Sequence, residues 1–308
     1  MTEQAHSLLK TCWTLMRAIA VVSSSLAAVV STTLPLFFYP FLSTGYLVVL
    51  LFLLTIGAFT IHGILTHIFN DYADYKSGTD AYSPALLSGG SRVIQKGMIS
   101  LHRMKQLGFG ISFVLLLIAA VSALLGRHEP ALLLVVGVWA AASYSLSPLR
   151  LSYRPFLGEW LSLFPSIFFL GLAAPWIALG ELPVWGFQNA LVNALFCVAW
   201  VMVHHIPDLE ADRKAVPVKR TSVVWFADTF GMYYARFPAL LYFLMMALTA
   251  FWFAPERIWA AGGVLAASAF AVVLVLKMDV TDPEQVSAYE KLLLLAAMAT
   301  ALWIGIFV

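Results

Sequence analysis

The chain of 308 residues is 61% hydrophobic and 11% charged, less than half the roughly 25% charged fraction of an ordinary soluble domain, and its mean hydropathy is +0.88. This composition excludes a disordered chain, and a net charge of +2 gives no ground for nucleic acid as a partner. Two cysteines, Cys12 and Cys197, lie in or beside apolar segments and supply neither a disulfide scaffold nor a thiolate metal cluster.

Crossing a bilayer takes about 20 mostly apolar residues per helix, because only an internally bonded backbone is satisfied without water. Nine such segments follow one another: 15–38, 44–69, 105–126, 131–148, 157–180, 187–206, 231–254, 257–277 and 290–308. The alternating pattern of a membrane barrel is absent, and no cleavable signal peptide is evident after Arg17. Of the 18 Lys and Arg residues, all but Arg127 and Arg257 belong to the N-terminal tail, 70–104, 149–156, 207–230, 278–289 or the span ends beside them. That asymmetry predicts a cytoplasmic N-terminus and a C-terminus on the opposite side. The fold expected is all-α: a single polytopic membrane domain over 1–308, with nine transmembrane helices around a central cavity opening to the cytoplasmic side.

Acidic residues crowd the same side, which a positive-inside signal does not require. The second span runs out into Asn70, Asp71 and Asp74; if the helix continues one more turn, the two Asp residues share a face at i and i+3. The sixth span runs out through His204, His205 and Pro207 into Asp208 and Asp212, which stand at i and i+4 if a fresh helical turn begins at the proline. Like charges one turn apart repel unless a cation lies between them. Magnesium fits, since it takes one or two carboxylates, several waters and substrate phosphate oxygens. Two pairs at one depth suit two Mg2+ ions clamping a diphosphate. The four-helix separation of the pairs hints at a pseudo-repeat, spans 2–5 against 6–9.

These residues resemble the UbiA superfamily of intramembrane prenyltransferases: Asn70-Asp71-x-x-Asp74 is similar to its first aspartate-rich motif, Asp208-x-x-x-Asp212 to its second. Within the superfamily the chain resembles the branch that prenylates 1,4-dihydroxy-2-naphthoate on the way to menaquinone. The strings NDYADYKSGTD, SGGSRVIQKGMIS (88–100) and PDLEADRKAVPVKRT (207–221) carry that likeness, as do Tyr144, Pro148, Arg150, Tyr153 and Gly158-Glu159. Departures are the six-residue step from Asp74 to Asp80, His204 where Asn is frequent, Ala18 after Arg17 where Pro is frequent, and no Gly before Lys219-Arg220.

The resemblance implies transfer of a prenyl chain from an allylic diphosphate to an aromatic acceptor. Asn70, Asp71, Asp74, Asp208 and Asp212 would hold two Mg2+ ions, and Lys76, Arg92, Arg150, Lys219 and Arg220 would bind the diphosphate. Tyr72, Tyr144 and His204 would face the carbocation or the acceptor, with Tyr72 and Tyr144 equally suited to interfacial anchoring. Other quinone precursors, phenols or a glycerol phosphate stay open as acceptors. Membrane lipid is the expected surrounding, in a bacterial or archaeal cytoplasmic membrane. Rival readings are a secondary transporter, whose acids would be expected nearer the bilayer midplane, and a haem protein using His62, His67, His204 and His205, which would leave both acidic clusters unexplained.

Overall fold

The computed structural model describes residues 8–84 and 86–308. Helix accounts for 79% of the chain, and no strand occurs among the described residues. A short helix α1 (Leu8–Met16) ends where Arg17 takes a left-handed backbone, φ 45°. Helices α2 (Ala18–Phe38) and α3 (Thr44–Ser77) follow, the latter started by the Ser43 side chain accepting from the Tyr46 amide. Gly78, φ 81°, stops α3, so the helix carries past Asn70 and includes Asp71 and Asp74, as the spacing requires.

Next come α4 (Leu101–Leu124), α5 (His128–Ser145), α6 (Glu159–Leu179) and α7 (Val184–His204). The chain breaks over 205–208 and restarts as the short helix α8 (Leu209–Lys214), so Asp208 and Asp212 flank its first turn. Then follow α9 (Ser222–Phe230), α10 (Met232–Phe253), α11 (Ile258–Lys277) and α12 (Pro283–Ile306). The last helix begins seven residues before the expected 290, because Asp282 accepts from the amides of Glu284 and Gln285 and opens it there.

Among the described residues eight helices are long and apolar enough to cross a membrane. The segment expected at 131–148 is present as α5, but its first turn, His128-Glu129-Pro130, keeps it outside the eight. It packs against α3, α4 and α6 all the same.

In its most apolar window α7 is 83% buried against 22% for α4; α7 is therefore the central post and α4 presents most of its surface to lipid. Around α7 pack α2, α6, α10 and α12. Away from the acidic motifs, Asn189 on α7 donates to the carbonyls of Ser31 and Ile304, while Arg257 donates to Gln188, Asn189 and the carbonyls of Ile304 and Phe307. That network satisfies the Ile304 and Phe307 carbonyls at the end of α12 and the Ser31 carbonyl within α2, where water is scarce. Three wide π turns interrupt the helices, at Val22–Leu26, Phe59–Leu65 and Glu159–Leu163, a local geometry often found at functional sites. Cys197 is free and buried; the side chain of Cys12 lies outside the described residues.

Small residues set the helix spacing. A Cβ on Gly171 of α6 would meet Ala190 of α7 at 2.9 Å from its Cβ and 3.0 Å from its Cα. Gly171→Val should therefore destabilise by about 1–3 kcal/mol, read as a lower melting temperature of the detergent-solubilised protein. Gly262→Ala, where nothing lies within 4 Å of the added atom, should not lower it.

Candidate active site

Three irregular segments converge over the end of the bundle that carries both acidic motifs. The loop after α3 folds back so that Ser91 donates from backbone and hydroxyl to Asp71. The loop after α5 is tied down by the Phe156 amide donating to Ser222, 2.7 Å. The segment after α8 is pinned by the Val216 amide to the Ser77 carbonyl, 2.9 Å, and by the Lys219 amide to the Asp212 carbonyl, 3.0 Å.

Beneath them a cavity of about 990 Å³, counted out to its open mouth, lies between α2, α3, α5, α6 and α7. All three π turns contribute to its wall, through Ser24 and Ser25, His62, and Ser162 and Leu163. Eight residues below Asn70, roughly 12 Å along the helix, His62 is braced on both ring nitrogens. Ser25 Oγ lies 2.6 Å from Nδ1 and Ser166 Oγ 2.7 Å from Nε2.

At the mouth, Lys219 joins the two motifs. Its ammonium donates to both oxygens of Asp74, each at 3.1 Å, and stands 3.7 Å from Asp212 Oδ1. Asn70 donates to Asp74 Oδ2 at 2.9 Å. Burial works against the charge of Lys219, but the carboxylates of Asp74 and Asp212 hold it well above the usual lysine range. Asp212 is fully buried, and that burial, reinforced by Asp208 and Asp74, pushes its carboxyl well above the ordinary value despite Lys219. Burial also raises Asp208.

Six of the expected site residues line the cavity: Asn70, Asp74, Tyr144, His204, Asp208 and Lys219. Asp212 sits behind Lys219. Asp71 turns from Asp74 towards the loop, where Ser91 donates to it and Gly90 lies against both Asp71 and Asp80. Tyr72 and Lys76 lie together outside the lining, the ammonium 5.6 Å from the ring. Arg92 is spent on the carbonyls of Ser83 and Gly89, Arg150 lies over the Tyr153 ring at 5.6 Å, and Arg220 is exposed.

The cavity also takes in Arg17, His67 and His205. Glu290, fully buried on α12, reaches it indirectly: its Oε1 is 2.6 Å from His204 Nδ1. The signal for Glu290 was an acid inside an apolar span, masked by counting residue 290 as a span end. Nothing in the sequence spacing linked Ser25, His62 and Ser166.

Asp208 Oδ1 and both oxygens of Asp212 are buried with no hydrogen-bond partner among the described residues. Leaving buried carboxylate oxygens unpaired is costly, and one ammonium does not balance several acids. This donor set fits a hard divalent cation. Among the described residues no three His, Cys, Asp or Glu side chains already form a metal cluster, so waters and substrate oxygens would have to complete the coordination, as is usual for magnesium.

Asp80 carries a pH signature. Burial, with the charges of Asp74 and Asp71, raises it to about 7 against the opposing effects of Gln95 and Lys219. A carboxyl raised on folding favours the neutral form, so stability falls as pH rises from the unfolded carboxyl range to about 7 and levels off above it. In metal-free protein, Asp80→Asn should raise the melting temperature more at about pH 8 than at about pH 5, where only part of that cost has accrued; an equal effect at both would contradict this assignment.

No curated protein and no solved structure matches the chain. The model of the UbiA prenyltransferase family matches residues 21–298, a stretch that runs from α2 into α12 and includes both acidic motifs. The chain belongs to the UbiA prenyltransferase family, and it is an integral membrane prenyltransferase.

Proposed function

We propose that this enzyme transfers a prenyl chain from an allylic diphosphate to an aromatic acceptor with the help of magnesium, and that the acceptor is 1,4-dihydroxy-2-naphthoate on the route to menaquinone. The observation that carries the reaction is the meeting of Asp74 and Asp212 at Lys219, with Asp208 lining the same cavity and carboxylate oxygens left unpaired. The acceptor rests on the resemblance of 70–80, 88–100 and 207–221 to the naphthoate branch.

In this reading Asn70, Asp71, Asp74, Asp208 and Asp212 hold two Mg2+ ions, which when bound neutralise charge on the departing diphosphate. Lys219 is already buried at the mouth and supplies a point charge to the phosphate oxygens. Arg17, on the same cavity wall, is placed to join it. Lys76, Arg150 and Arg220 belong to the same end of the bundle and would approach the diphosphate from the rim, while Arg92 fixes the loop that holds Asp71. Tyr144, whose hydroxyl lies 3.0 Å from His205 Nε2, presents an aromatic face to the developing cation; Tyr72 would do so only from outside the present lining.

The polar mouth and apolar wall of the cavity suit the diphosphate end and a fused ring. A tail of many isoprene units would leave it sideways into lipid, between helices that Gly, Ala and Ser allow to pack closely.

The parity of the chain supports nine crossings. Asp74 at the end of α3 touches Lys219 beyond α7, so both helices finish at the same end of the bundle. An even number of passes must separate them, which α4, α6 and α7 supply only if α5 crosses as well. Lys and Arg abundance at the motif end supports a cavity mouth and an N-terminus on the cytoplasmic side. Both α3 and α7 end in an acidic motif followed by an irregular loop, which supports a pseudo-repeat of spans 2–5 and 6–9 in a single domain.

With a prenyl diphosphate, dihydroxynaphthoate and Mg2+, purified protein should form prenylated product and diphosphate. Asp208→Asn and Asp74→Asn should each lower turnover by at least about 100-fold while the protein remains folded, and a chelator should abolish activity until Mg2+ is restored. Undiminished product formation in chelator would refute the magnesium assignment; product from other phenols only would refute the acceptor.

A further inference from the structure

The reaction needs a proton acceptor, and one histidine is arranged for the task. His204 is the last residue of α7, and its Nδ1 lies 2.6 Å from Oε1 of Glu290. In the arrangement proposed below, Glu290 accepts from Nδ1 and Nε2 keeps its lone pair. Nε2 has no hydrogen-bond partner among the described residues, and the side chain, 15% exposed, faces the cavity. One turn deeper the Trp200 ring lies with its centroid 5.4 Å from the imidazole, tilted by 37°, and lines the same cavity.

The other cavity histidines are differently committed. Both nitrogens of His62 are held by serines, and His205 Nε2 is shared with the Tyr144 hydroxyl. The Nδ1 of His67 faces the Gly63 carbonyl, which fixes its ring but supplies no charge to stabilise an imidazolium. Glu290 is completely buried, and its Oε2 has no partner among the described residues. A buried carboxylate at this position is costly as mere structure, yet it suits a group that orients His204 and stabilises its protonated form.

We propose that His204 is the general base that takes the hydroxyl proton of the aromatic acceptor, with Glu290 as its positioning residue. The assignment rests on the aromatic-acceptor reading and deepens it. The allylic carbon–oxygen bond breaks, its electron pair leaving on diphosphate. The ring carbon bonds to the allylic carbon as the hydroxyl proton passes to Nε2, giving a neutral dienone and an imidazolium. Loss of the substituent at the prenylated carbon, as carbon dioxide from a carboxylate or as a proton taken up by the released diphosphate, leaves its bonding electrons in the ring and restores aromaticity. The imidazolium returns its proton to the oxygen.

The test compares full-length wild type, His204→Ala, His204→Gln and Glu290→Gln on two acceptors of similar shape, one with a neutral hydroxyl at the assay pH and one already ionised. With the neutral acceptor both His204 variants should lose about 100- to 10,000-fold in turnover. With the ionised acceptor the loss should shrink to less than about tenfold, since no base is then needed. The KM for the prenyl diphosphate should stay within about twofold, and Glu290→Gln should show the same acceptor dependence with a smaller loss. Wild type that prenylates while the folded variants lose equally with both acceptors, or lose nothing, would overturn the base alone. If His204→Ala does not fold, His204→Gln and Glu290→Gln give the same reading. Wild type that prenylates no aromatic acceptor would overturn the acceptor class and the base with it.

Discussion

One lysine among buried carboxylates organises the functional end of this molecule. Lys219 comes from a loop, Asp74 from the end of α3, and Asp212 from a short helix beyond α7; the ammonium reaches both acids. At this depth charges are poorly screened, so pairing with Lys219 ties two distant stretches of chain together. The same low dielectric makes the unpaired oxygens of Asp208 and Asp212 a cost to the fold, and that cost is what a divalent cation and an anionic substrate would relieve. Stability is exchanged for a site that attracts its ligands.

The helices serve this end by being irregular in defined places. Arg17 breaks α1 from α2, the π turns widen α2, α3 and α6 beside the cavity, and the interruption at 205–208 turns the chain so that Asp208 and Asp212 face inward. Away from the cavity α7 packs against α2, α6, α10 and α12, and Asn189 and Arg257 satisfy backbone carbonyls there. A rigid far end and a broken near end follow from where polar residues and prolines interrupt the apolar runs.

Much of this was legible in the sequence because lipid imposes a simple rule: apolar runs of sufficient length become helices. The ends of those runs were harder. The start of α12 is set by the side chain of Asp282, a local cap that hydropathy does not see, and the same oversight hid Glu290 as a span end. The spacing of Asn70, Asp71 and Asp74 correctly implied one more helical turn, but neighbours at i and i+3 still diverge by enough for Asp71 to meet Ser91 while Asp74 meets Lys219. Among five cations proposed for the diphosphate, spacing could not tell Lys219, buried between acids, from Arg92, engaged by loop carbonyls. Those differences depend on how loops fold over the bundle, and only contacts between distant residues decide it.

Calorimetric titration of Mg2+ into the purified, metal-free protein, with and without a non-reacting prenyl diphosphate analogue, measures the central claim most directly. The account predicts that analogue and metal bind together, near two ions per chain, and that Asp208→Asn and Asp212→Asn each weaken this coupled binding. Analogue binding that is equally tight without any divalent cation, or metal binding unaffected by either substitution, would contradict it.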